Sequence, residues 1–465
     1  MTAPARHEHI ALILLLATYL LVGALYATQT PPWQVPDEPA HYNYIAQLHA
    51  DGCCPVMEAG DYDQDYLSAL TASRFDPALT DRLGALRYEN HQPPLYYLLL
   101  LPAFALFGGD LIALRLCSVV IGAGVVLMAW ATVRALFPAR PWFALTAAAF
   151  VAFLPQHAAM MGGVNNDSLA EFWIGAALLA CVRYVRGVEE DAAPAPHPAL
   201  LGALAGLAVL TKTTAAFIVA VALAAAWLRW RQERAQRAVP LRSLVVAVLW
   251  ISVVAAAINT PWWLRNASVY GGLDIAGLGR HDAVVALPET AAGGQPRTGD
   301  WIAQQGAGAL LSRFVRFTFN SFWGQFGWMA APMPDWVYAV LLGFVVVVMV
   351  GLALALRRNQ REQETITAGQ RGGVALLALA SALVVAQYLY YNLTFVQHQG
   401  RYLFPALIPI SLVVALGLDG WVRPVGGRFN LPMRVRWVPP ALVWISFAAL
   451  SLYALFRVVV PALAP

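Results

Sequence analysis

The chain has 465 residues, 59% of them hydrophobic and only 12% charged. Soluble domains carry about a quarter charged residues, so a soluble enzyme is excluded and an all-α, polytopic membrane protein is indicated. The formal net charge of +4 gives no reason to expect nucleic acid as a partner, and the four cysteines show neither disulfide nor metal spacing.

The first apolar segment, 10–28, is read as a permanent anchor, because Leu25-Tyr26-Ala27 is a poor small-x-small cleavage site. Directly after it comes Trp33-Gln34-Val35-Pro36-Asp37-Glu38-Pro39-Ala40-His41-Tyr42. Two prolines bracket the acids, and proline is at home before and in the first turn of a helix. A surface helix from Asp37 to about Ala50 is predicted. On it Asp37 shares a face with His41, and Glu38 with Tyr42, because positions four apart stack. The ordinary reading is that Asp37 caps the helix through its carboxylate. The functional one is a pair of catalytic acids, Asp37 and Glu38, which could also hold a divalent cation through oxygen; no cofactor is certain. Cys53 and Cys54 are adjacent, with Cα atoms about 3.8 Å apart, short of ordinary bridge geometry.

Glu89-Asn90-His91-Gln92-Pro93-Pro94-Leu95-Tyr96-Tyr97 opens a short apolar stretch, 93–107, suited to the membrane interface. Its tyrosines need only a headgroup-level helix, whereas Glu89 and His91 before a proline turn are candidate site residues. Asn165-Asn166-Asp167-Ser168 precedes the fourth span; Asp167 or Ser168 can cap that helix, and a capped start can also bind an anion. Segments 198–211 and 213–229 form a hairpin of short helices with Lys212 at its tip. That lysine can simply snorkel to the headgroups. Arg265 follows a Trp262-Trp263 pair, and Arg401 and Tyr402 follow Gln397-His398-Gln399-Gly400. Guanidinium binds phosphate bidentately and lysine adds a point charge. His41, Glu89, His91, Asn166, Asp167, Lys212, Arg265, His398, Arg401 and Tyr402 are therefore the candidate substrate-binding residues.

Spans of about 20 apolar residues are predicted at 10–28, 111–136, 142–161, 168–186, 243–262, 334–356, 373–394, 402–422 and 438–460. With the hairpin helices these make about eleven. Cytoplasmic loops collect arginine. Keeping 93–107 out of the bilayer puts Arg6, Arg134, Arg140, Arg183, Arg186, the 229–242 cluster, the 357–371 cluster and the 423–436 cluster inside. The N-terminus is then inside and the C-terminus outside. The 29–110 and 263–332 loops, with every candidate residue, face out. The segments 187–197 and 359–371 read as cytoplasmic linkers, and the whole chain, 1–465, as one transmembrane domain with no soluble domain after the last span. Span centres almost free of charge argue against an ion-coupled transporter. No P-loop, dinucleotide fingerprint, HExxH or zinc pattern is present.

The acids after the first span, the His-Gln-Pro-Pro-Leu-Tyr-Tyr segment, the Asn-Asp before the fourth span, the Leu-Thr-Lys hairpin and the late Arg-Tyr-Leu-Phe-Pro resemble those of the GT-C membrane glycosyltransferases. The branches most similar are lipid A aminoarabinose transferases and protein O-mannosyltransferases. PDEPAHY with QGRYLFP looks most like a bacterial family of predicted membrane proteins. The resemblance covers about residues 10–420 and rests on short motifs whose order is the stronger signal. It implies a GT-C-like fold in the bacterial cytoplasmic membrane, with the active site facing out. The donor it implies is a polyprenyl-phosphate-linked sugar, and the transfer is inverting, to a lipid, glycan or protein acceptor. Residue by residue it makes Asp37 the base, Asp167 the second-loop acid, Lys212 the hairpin lysine and Arg401 the late arginine. Membrane lipids are the other expected partner. The chemistry agrees: a positioned carboxylate deprotonates the acceptor, and cations stabilise the departing phosphate. A carrier or flippase of a lipid-linked saccharide is the competing reading; it needs the cations but no base.

Overall fold

The structure, a computed structural model, describes residues 3–189, 193–285, 297–362, 366–428 and 433–464. Residues 190–192 and 363–365 of the two expected linkers and 286–296 of the second long loop lie outside the described residues, as do the side chains of Arg6, Arg358, Arg361, Arg423, Arg428 and Arg434. The remainder is overwhelmingly helical, with one short antiparallel ribbon pairing Gln325–Phe326 with Ala331–Pro332. The chain is a multi-pass membrane protein. Among the described residues nine helices are long and apolar enough to cross a bilayer, and a bent pair makes ten.

The expected eleven spans are therefore not reached. Helix Pro198–Thr211 has 14 residues; at ~1.5 Å per residue it is about 21 Å long, short of a hydrocarbon core of about 30 Å. Helix Leu95–Leu106 is shorter still, at 12 residues, as the interfacial reading of 93–107 requires. The predicted single span 142–161 is broken: Pro141–Phe153 and Pro155–Met161 meet at 66°. Proline has no N–H for the carbonyl four residues before it, and here that carbonyl belongs to Val151. His157 takes it instead, with Nδ1 2.8 Å from Val151 O, while Nε2 lies 3.0 Å from Glu171 Oε2. This buried pair lies near the start of the Asp167–Arg186 helix, away from the span centre.

Helix Pro141–Phe153 is the hub. Nearly all of its residues are buried, and it packs against the Leu111–Leu136, Leu407–Arg428 and Val438–Ala454 helices. Its small Ala147-Ala148-Ala149 run lets these neighbours approach closely. The segment after the first helix folds into its own apolar cluster, in which Met57, Leu67, Leu70, Phe75, Leu86 and Tyr88 pack with Val284 and Val285. That cluster roofs the Glu38–Asp51 helix, which is thus buried at its start and not the surface helix predicted. Cys53 and Cys54 lie side by side in the loop after this helix.

Candidate active site

The Ala3–Gln29 helix ends at a Pro31-Pro32 pair, and the chain turns through Trp33 (φ 66°) and Asp37 (φ 68°). A left-handed residue costs about 1–2 kcal/mol unless it is glycine, with Asn and Asp the usual exceptions. The helix starts at Glu38, one residue later than predicted, and the Asp37 side chain makes no capping bond. The left-handed turn swings the carboxylate away from the helix N–H groups. Its Oδ1 accepts from Tyr88 Oη at 3.1 Å and its Oδ2 from Arg401 Nη2 at 2.7 Å.

Glu38 points the other way. Its carboxylate accepts from Arg115 Nε (2.8 Å) and Nη2 (2.6 Å), from the Trp33 N–H (3.1 Å) and from the Val164 N–H (3.1 Å). Arg115 spends its remaining donors on the carbonyls of Ala27, Thr30 and Pro31. The Glu38 side chain is 0% exposed and that of Asp37 24%, so of the two carboxylates only that of Asp37 is open to solvent. This corrects the expectation of two catalytic acids. Glu38 is the anchor of the turn that presents Asp37. Nor do the two acids converge on a shared cation, and among the described residues no group of three or more His, Cys, Asp or Glu side chains is placed to hold a metal.

Three further segments meet Asp37. Arg401 is carried by the 3₁₀ turn Gly400–Ala406. Gly400 lies so close to Thr318 O and Phe322 N that a Cβ would come within 2.3–2.4 Å of both, so only glycine seats the turn. Gln399 Oε1 accepts from Arg401 Nε at 2.8 Å, and the Tyr402 ring lies 5.3 Å from the guanidinium. Asp167, first residue of its helix, caps nothing; Asn165 Oδ1 accepts its N–H at 2.8 Å. Its carboxylate instead forms an ion pair with Lys212, the sole lysine in the sequence. Lys212 therefore turns inward rather than snorkelling.

Between the two ion pairs lies His41, its Nδ1 2.9 Å from Tyr97 Oη. Tyr97 stacks on Tyr44 with centroids 3.8 Å apart, and Asn166 Nδ2 points at the same hydroxyl and at Thr211 O (3.3 Å). Glu89 adds a third negative charge, felt by His41 and Lys212. Burial pushes the His41 pKa down further than Glu89 and Asp37 pull it up, so its imidazole is neutral at pH 7. Burial raises the Asp37 carboxyl, but Arg401 and His41 outweigh it and hold the pKa below the usual range. For Lys212 burial works downward and Asp167 upward, with a net rise.

Three candidates lie apart from this cluster. Arg265 donates to Cys54 O (2.9 Å), Pro55 O and Asn266 Oδ1 (2.9 Å), and sits over Trp262 at 4.8 Å. It clamps the 53–55 segment. His91 is buried with Nδ1 3.0 Å from Tyr88 O and its ring against His281; it braces the residue that holds Asp37. His398 is buried edge-on to Phe314. The sequence reading passed over Arg115, Tyr88 and Tyr97. Arg115 alone left a signal, as an isolated arginine in an apolar span.

Residues 91–264 match the profile of the family described as dolichyl-phosphate-mannose-protein mannosyltransferase. An undecaprenyl phosphate-alpha-4-amino-4-deoxy-L-arabinose arabinosyl transferase of Pseudomonas paraeruginosa is 26% identical over 384 residues, covering 77% of this chain and 66% of that protein. The chain thus matches slightly less than two thirds of that relative's length. Among solved structures, the Archaeoglobus fulgidus oligosaccharyltransferase complexed with Zn and sulfate superposes with TM-score 0.52 at 16% identity, over 93% of this chain and 53% of that one. ArnT from Cupriavidus metallidurans in the apo state gives 0.50 at 16%, over 97% and 73%. These likenesses show the fold, that of the GT-C membrane glycosyltransferases, as the sequence resemblance implied.

Proposed function

We propose that the protein is an integral-membrane glycosyltransferase that moves a sugar from a polyprenyl-phosphate carrier to an acceptor at the outer face of the bacterial cytoplasmic membrane, with inversion. The observation that carries this reading is a pair of carboxylate–cation contacts in one site, the partly exposed Asp37 with Arg401 and Asp167 with Lys212. In the reaction an acceptor hydroxyl or amine attacks the anomeric carbon on the face opposite the phosphate. Its proton passes to Asp37, the carbon–oxygen bond breaks, and the electron pair leaves with the phosphate. Charge grows on that phosphate in the transition state, where Arg401 and Lys212 stabilise it. Phosphate is a competent leaving group, so no covalent enzyme intermediate is required. His41 and Asp167 hold the shape and charge of the site. The arabinosyl transferase relative, whose name carries undecaprenyl phosphate, supports the donor class. The arginine clusters support the outward orientation.

The test is transfer of radiolabelled sugar from a polyprenyl-phosphate donor by the purified protein in proteoliposomes, across a panel of lipid, glycan and peptide acceptors. Movement of the intact glycolipid between leaflets, without transfer to any acceptor, would support the carrier reading instead.

A further inference from the structure

The ionisable groups of the site are partnered with one exception. Asp37 is bonded to Arg401 and Tyr88, Asp167 to Lys212, and His41 to Tyr97. Glu89, however, has Oε2 buried with no hydrogen-bond partner, and Asn166, itself 0% exposed, has Oδ1 in the same condition. More than nine in ten buried polar groups are satisfied, so two orphans in one site call for an explanation. Both belong to segments that build the site: Asn166 Nδ2 points at the Tyr97 hydroxyl, and Glu89 follows Tyr88, whose hydroxyl donates to Asp37. The orientation of the Asn166 amide is fixed, since Thr211 O can only accept and must face the NH₂ end. The oxygen therefore faces the side that no protein donor fills.

Resting on the glycosyl-transfer reading above, we infer that Glu89 and Asn166 form the subsite that reads the transferred sugar, accepting hydrogen bonds from its hydroxyl or amino groups. The argument is one of complementarity. Both orphans are acceptors, so the missing partner is a donor. A prenyl tail has no donors, and an ionised phosphodiester has only acceptors. Of the three parts of a polyprenyl-phosphate-sugar, the sugar alone supplies O–H or N–H groups. Asn166 also lies between the two halves of the lysine pair: it precedes Asp167, the partner of Lys212, and its Nδ2 is 3.3 Å from Thr211 O. Phosphate held by Lys212 and Arg401 would leave the attached ring next to both acceptors. A site that hydrogen-bonds a substrate hydroxyl rejects the analogue lacking it strongly, so these two residues set sugar specificity and leave the phosphate contact untouched.

The experiment compares equilibrium binding of undecaprenyl phosphate with that of the same lipid carrying a neutral hexose or a 4-amino-pentose, for wild type, Glu89→Gln and Asn166→Ala. The expected result is undecaprenyl phosphate affinity within about twofold of wild type, and binding of the preferred glycosylated lipid weakened about tenfold or more, in keeping with one or two lost hydrogen bonds. A Glu89→Gln loss confined to the amino sugar assigns an ammonium partner, and a loss on the hexose assigns hydroxyls. Equal loss on bare and glycosylated lipid, or no loss on either, overturns the subsite while the donor reading stands. If wild type binds none of the three lipids, the donor reading itself fails. Should Asn166→Ala not fold, Glu89→Gln decides alone.

Discussion

Asp37 Oδ2 and Arg401 Nη2 lie 2.7 Å apart although 364 positions separate them in the chain. The proposed base is therefore tied to a cation that the donor phosphate would claim. A phosphate that draws Arg401 toward itself loosens Asp37 at the moment an acceptor proton needs a home.

That arrangement predicts a divergence of binding and turnover in Asp37→Asn. Asparagine tolerates the left-handed turn as well as aspartate does, so folding is expected to hold. Transfer should fall by about 10²–10⁴, the usual worth of a general base. Undecaprenyl phosphate should bind at least as tightly as in wild type, because Arg401 loses its internal competitor. Parallel rate and binding assays check this; weakened binding would place Asp37 on the phosphate side of the site.

Arg401→Ala should weaken undecaprenyl phosphate binding by about 1.5–3 kcal/mol, the worth of a charge-assisted contact. Lys212→Ala should cost a similar amount, since its ammonium is paired inside the site with Asp167. Lipid binding by Lys212→Ala indistinguishable from wild type would return that lysine to a purely structural role.

The Glu38–Arg115 pair is completely enclosed. Arg115→Met leaves a buried carboxylate without its partner, which typically costs about 3–5 kcal/mol. The double variant Glu38→Gln/Arg115→Met should recover part of the loss. Thermal unfolding in detergent reads both; a single-variant loss below about 1 kcal/mol, the level of an exposed pair, would mean that the pair does not hold the turn.

Burial, with Arg313 nearby, lowers His398 to about 4, against about 6.5 for a free histidine. The unfolded chain thus takes up a proton first as the pH falls. The stability contributed by neutral His398 is complete above about 6.5 and is lost as the pH drops toward 4. Between pH 7 and 5 the melting temperature should fall more steeply in wild type than in His398→Gln; identical slopes would exclude this histidine as the cause.

Single cysteines placed at Ala139 and Val188, on a background lacking the native ones, should be shielded from an impermeant thiol reagent in intact cells. Labelling of both from outside would invert the topology and move the proposed site to the cytoplasm.

How far the sequence reads into this structure depends on the range of the interaction. Asp37, Asp167, Lys212 and Arg401 can be singled out because each is a charge at the edge of an apolar run. Their pairing cannot be, since Asp37 with Arg401 and Asp167 with Lys212 are joined only by tertiary packing. Glu38 illustrates the limit best. It adjoins Asp37 and looks equivalent, and only the one-residue shift in helix start sends it to Arg115 instead. The membrane spans are legible from hydropathy, whereas the count near the hairpin is not. Composition identifies 198–211 as apolar, but whether 14 residues cross is a matter of length against bilayer thickness.

The chain's solitary lysine has a practical consequence. An acylating reagent aimed at ε-amines meets one target besides the N-terminal amine, and that target sits against Asp167 in the proposed site. Its labelling is already slowed by the ion pair with Asp167, and the further slowing caused by an added compound gauges occupancy, since a molecule lodged against Lys212 protects it. Any compound can be ranked this way by mass spectrometry of one peptide, before the sugar or the acceptor is known.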